Sequence, residues 1–105
     1  MATIQQLLNV IPTNRQHAMH AHQIAQALGL STLGTCETTR ALIREANKNG
    51  YFIVNTIDEG FWLTSDKQEI MDYLDTLVSR IIGTQERIDA IKTHWNSTNP
   101  TNLIP

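Results

Sequence analysis

Two short runs, Tyr51-Phe52-Ile53-Val54 and Phe61-Trp62-Leu63-Thr64, concentrate the aromatic and β-branched residues that favour strands, and the stretch Asn55 to Gly60 between them is turn-forming. That pattern specifies one antiparallel hairpin. A lone hairpin is marginal in water, so this one has to be covered by helices, and the rest of the chain is patterned for them.

Ahead of the hairpin, Ile4, Leu7, Leu8 and Ile11 recur at helical spacing, with Thr3 placed to cap and Pro12 to stop a first helix. Residues 13–19 are polar and turn-prone. A second helix is expected from His20 to Leu28, ended by Gly29, and a third from about Thr35 to Asn49, closed by Gly50. Thr39, Leu42 or Ile43, and Ala46 form the buried face of the third. Helix, helix, helix, hairpin is the element order of a winged helix, so the expected fold class is mainly α (α+β), a winged helix-turn-helix over 1–64.

From Asp66 the chain reads as one long helix. Asp66 and Glu69 have the spacing of a capping box. Ile70, Leu74, Leu77, Ile81, Thr84, Ile88, Ile91 and Trp95 then alternate in steps of four and three, a heptad seam. The stripe is wide at first, where Tyr73, Val78 and Ile82 flank it, and later narrows to the seam. The first half is therefore expected to pack partly on its own domain. The seam, through Leu74, Leu77, Ile81, Ile88, Ile91 and Trp95, is expected to make a homodimer within 66–95. Arg80, Arg87 and Lys92 flank it with one sign of charge, which leaves parallel and antiparallel pairing open. Gly83 is a place where the helix can bend. Residues 96–105, polar with two prolines, are expected to be a disordered tail.

Only one cysteine is present, Cys36, so an intrachain disulfide and a thiolate zinc cluster are excluded. With no leader-like N-terminus and no apolar span of bilayer length, a cytoplasmic protein off the membrane is expected. The formal net charge is −2. Residues 1–64 are neutral, with Arg15, Arg40, Arg44 and Lys48 against Glu37, Glu45, Asp58 and Glu59. A nucleic-acid binder usually carries a basic excess, and this chain has none overall.

Function is sought in the segment His20 to Gly50. A helix-turn-helix lays its second helix in the DNA major groove, and here the break is Gly29-Leu30-Ser31, with Leu30 as a buried pivot. On the reader helix, Arg40, Arg44 and Lys48 recur every four residues as one basic stripe beside the buried face. Thr35 and Thr38 at its start suit a phosphate oxygen, Glu37 suits a cytosine amino group, and Ala41 lies within the same face. The alternative is that these charges only solvate an exposed face. Asp58 and Glu59 make the hairpin tip acidic, which works against phosphate contact. His17, His20 and His22 read as exposed or capping residues and not as metal ligands. No Ser/His/Asp set, phosphate loop or acid pair stands out, so neither an enzyme nor a cofactor is expected.

The segments TTRALIREANKNGYFIV, DEGFWLT and SDKQEIMDYLDTLVSRIIGTQERIDAIKTHW resemble short prophage-encoded winged-helix proteins of Gram-positive bacteria. Arg40, Leu42, Ile43, Gly50, Tyr51, Gly60, Leu63, Tyr73, Leu77 and Arg80 match that group's pattern. Thr39 departs from it, standing where an aliphatic residue is common, and the reader helix and wing are less basic. The resemblance implies sequence-specific binding of double-stranded DNA in phage transcription or replication control. The competing expectation, from the acidic balance, is a winged-helix module that binds a host or phage protein.

Overall fold

A computed structural model describes residues 2–105. Helix α1, Ile4–Val10, begins where Thr3 caps it reciprocally: Thr3 Oγ1 accepts from the Gln6 amide and Gln6 Oε1 from the Thr3 amide. Helix α2, Ala21–Leu28, ends at Gly29 in the left-handed region (φ 69°), and the Leu30 amide reaches back to the Ala25 carbonyl at 2.9 Å. That is the geometry of a Schellman stop, which a glycine adopts without penalty. Helix α3, Glu37–Lys48, starts two residues later than its sequence suggests and closes at Asn49 and Gly50. Cys36 precedes it in a left-handed conformation (φ 56°) and is buried.

Strand β1, Ile53–Thr56, pairs antiparallel with β2, Gly60–Leu63, in the register Ile53 to Leu63 and Thr56 to Gly60. Tyr51 and Phe52, expected to lie within the first strand, fall outside it. The cause is local: the Tyr51 amide donates to the Ala46 carbonyl and finishes α3. The segment read as a polar turn holds a short 3-10 helix at Arg15–His17 and then a third edge, where Met19 and Phe61 exchange both backbone hydrogen bonds (2.7 and 3.0 Å).

Side chains alternate across the hairpin as a pleated ribbon requires. Ile53 and Phe61 join Leu7, Ile11, Ile24, Ala25, Ile43 and Ala46 in the core, with Leu30 packed half-buried against it. Val54 and Trp62 are buried outside that cluster, so neither Phe61 nor Trp62 is exposed. Thr39, Ile43 and Ala46 form the buried face of α3, as their spacing predicts.

Helix α4, Lys67–Thr98, runs through Gly83 without a break. None of its residues is buried. In its first turn, Glu69 Oε1 accepts from Trp62 Nε1 (3.0 Å) and Thr64 Oγ1 (2.6 Å). Those two donors are why the expected capping box does not form: the Asp66 amide turns to Thr64 Oγ1 instead, and Asp66 Oδ1 caps Gln68. Residues 96–98, expected in a disordered tail, are helical. The residues after them fold back, with Trp95 Nε1 donating to the Asn102 carbonyl and the Asn96 side chain making two bonds to the Ile104 backbone.

The described chain is therefore mainly helical, with four α-helices, the last one long, and one two-stranded antiparallel hairpin. It divides into two compact units, one ending at Tyr73 and the other comprising Leu74–Pro105. No described helix is long and apolar enough to cross a membrane.

Candidate nucleic-acid interface

With Thr39, Ile43 and Ala46 turned inward, helical geometry sends Glu37, Thr38, Ala41, Arg44, Glu45 and Lys48 outward, and all six are exposed. Ala41 sits in the middle of this face, where a small side chain permits close approach. Two cations and two carboxylates surround it, so the face is electrically balanced. Thr35, expected in the first turn, lies in the connection before α3; Thr38 is the first-turn threonine.

The basic stripe does not survive as three equivalent cations. Arg40 is half-buried: its Nε donates to the Thr35 carbonyl at 2.6 Å and its guanidinium lies 5.8 Å from the centre of the Phe61 ring. It braces the connection into α3 against the hairpin. Arg44 pairs with Glu37, seven residues earlier, at 2.5 Å. Both partners remain more than half exposed, and exposed ion pairs are worth between zero and about 1 kcal/mol. A phosphate or a base edge can therefore displace Glu37 at little cost. Lys48 stays exposed at the end of the helix.

A second charged cluster joins parts of the chain that are remote in sequence. Arg15 makes a bidentate contact to Glu59 at the hairpin tip (2.7–3.0 Å), stacks over the buried Trp62 ring (5.1 Å), and stands 3.9 Å from Glu69. Thr56 Oγ1 accepts from the Glu59 amide and donates to its carboxylate. Hydrogen bonding to Arg15 holds the Glu59 carboxyl below the usual carboxylate range and raises Arg15 in return. Thr64 first, and Trp62 next, do the same for Glu69. One of the two acids at the hairpin tip, Glu59, is thus already paired with Arg15, whereas Asp58 carries its charge beside it on the exposed tip. Arg15, Trp62, Thr64 and Glu69 carried no local signal as site residues, because the contacts that define them span up to 44 positions.

A shallow cleft between α1 and α2 is lined by Gln6, Asn9, Val10, Ala27 and Leu28, and another on α4 by Ala90, Ile91, His94, Trp95 and Thr98. Among the described residues no group of three or more His, Cys, Asp or Glu is arranged to hold a metal ion. No protein-family model, curated protein or solved structure matches the chain.

Proposed function

We propose that residues 2–64 are a winged helix-turn-helix that binds double-stranded DNA through the outer face of α3, as a phage-type regulator in the host cytoplasm that acts by binding and not by catalysis. The observation that carries this reading is the form of α3. Its inner face is locked in the core, its outer face is exposed along its length, and the Gly29 stop and the hairpin bracket it as they do in DNA-reading modules. The Met19 bridge to Phe61, which ties the segment before α2 to the hairpin, supports the same reading. Thr38 and Ala41 are the side chains offered to base edges, and Arg44 and Lys48 to phosphates; Arg40 holds the helix in place.

With Arg44 and Lys48 as the phosphate-competent cations of α3, binding is expected to weaken with salt by a log–log slope of about −2 per copy. A mobility-shift titration of pooled phage DNA at several salt concentrations tests this. Arg44→Ala and Lys48→Ala should each flatten the slope by about 1, and absence of binding at the lowest salt refutes the reading. A second reading, recognition of a host or phage protein, is favoured by the balanced charge of the α3 face and the exposed Ile57 and Asp58 at the tip. Salt-insensitive capture of one protein by that face, abolished by Ala41→Glu, would select it.

A further inference from the structure

We propose that residues 74–95 of α4 pair antiparallel with the same segment of a second copy of this chain. The inference is independent of what α3 binds. Leu74, Val78, Ile81, Ile82, Ile88 and Ile91 each keep between 47% and 69% of their surface exposed. Together they form a patch on the order of 600 Å², at the upper end of what a monomer leaves in contact with water and most of the roughly 800 Å² per partner in a standard interface. A seam of period 3.5 is matched along its length by another helix of the same period. A second copy supplies one.

Thr84 is the one polar seam position, and its hydroxyl donates to the Arg80 carbonyl at 2.8 Å. The hydroxyl is satisfied within the helix, so the seam meets the Thr84 methyl group. In a parallel pair this small residue would face its own copy, leaving an underfilled layer between those of Ile81 and Ile88. An antiparallel pair centred between residues 82 and 83 sets Thr84 against Ile81 of the second copy, Leu77 against Ile88 and Leu74 against Ile91. Every layer then holds a large aliphatic side chain, which favours even packing.

The flanks weigh evenly and leave the choice to the Thr84 layer. With Leu74, Ile81 and Ile88 at a and Leu77, Thr84 and Ile91 at d, Tyr73, Arg80 and Arg87 fall at g and Val78, Gln85 and Lys92 at e. Parallel pairing sets Tyr73 near Val78 and Arg87 near Lys92 of the second copy; antiparallel pairing sets Val78 near Gln85 and Arg80 near Arg87. In both, the like charges lie at a solvated rim, where salt screens them.

The test combines solution mass with cysteine cross-linking in the full chain, wild type serving as background because its lone Cys36 is buried. Leu77→Cys and Ile88→Cys are oxidised separately and after mixing. In the antiparallel pair these positions are adjacent between copies, whereas each lies about 16 Å along the axis from its own counterpart. The expected result is a dimer by sedimentation, no disulfide-linked dimer from either variant alone, and efficient linkage in the mixture. Self-linkage of either variant alone overturns the antiparallel pairing, and a monomer at every accessible concentration, or an assembly larger than a dimer, overturns the proposal. Unchanged circular dichroism of the variants shows that the helix persists.

Discussion

Thr39→Val is expected to stabilise the protein. Thr39 is fully buried on the inner face of α3, and among the described residues its Oγ1 has no hydrogen-bond partner. A helical threonine ordinarily returns its hydroxyl to the carbonyl four residues back, here that of Thr35. Because α3 begins at Glu37, that carbonyl lies outside the helix and accepts Arg40 Nε instead. An unsatisfied buried hydroxyl costs about 1–3 kcal/mol. Valine fills nearly the same shape without the polar atom and has a similar helix propensity, so a gain of about 1–2 kcal/mol is expected. For a domain of this size each kcal/mol raises Tm by roughly 4–8 °C. Thermal and urea unfolding followed by circular dichroism, with an unchanged urea m-value, would measure it. Thr39→Ser keeps the hydroxyl and deletes a methyl, and should lose about 1 kcal/mol. If valine proves neutral or destabilising, the hydroxyl is bonded and the reasoning fails.

Gly60→Ala should be strongly destabilising: at φ 101° a new Cβ would lie 2.5 Å from the Met19 carbonyl, and the backbone conformation alone costs a side chain about 1–3 kcal/mol. Normal thermal stability of that variant would contradict the close approach of the two segments. Glu59 and Glu69 have carboxyl pKa values lowered by folding, so their contribution is complete above the ordinary value near 4.3 and is lost as pH falls through the lowered one. Glu59→Gln should make stability less dependent on pH in that acid window, and an unaltered profile would show the Arg15 contact to be absent. Gly83→Ala meets no atom within 4 Å and should add about 1 kcal/mol of helix propensity, read as later melting of α4 by circular dichroism; a loss of helix would reveal a close approach there.

What the sequence made legible follows the range of the interactions. Helix stops at Gly29 and Gly50 and the inward set Thr39, Ile43 and Ala46 depend on contacts a few residues apart, and they lie where spacing placed them. The start of α3 lies two residues later than its spacing suggests because buried Cys36 occupies the N-cap position, without a side-chain capping bond and in a backbone conformation that residue type rarely adopts. The Met19 bridge to Phe61 has no sequence signal because a single bridge leaves no periodicity to read. The tail looked disordered by composition, yet Asn96 and Trp95 hold it through bonds to backbone atoms, which composition does not encode.

The candidate site was legible as a face and not as a set of charges. Helical spacing places Cβ atoms, whereas a guanidinium at the end of a long side chain goes to whichever acceptor the tertiary fold brings within reach. Arg40 found the Thr35 carbonyl, Arg44 found Glu37 and Arg15 found Glu59 across 44 positions. Counting cations in the sequence therefore overstates the charge available to a phosphate: of the four in residues 1–64, Arg15 and Arg44 sit in ion pairs and Arg40 donates to a backbone carbonyl, whereas Lys48 is exposed and among the described residues makes no ion pair. A face so nearly neutral cannot hold DNA by counterion release alone. Affinity in the proposed function has to come from base-edge contacts around Ala41 and from presenting that face twice, which joins the reading of α3 to the pairing of α4.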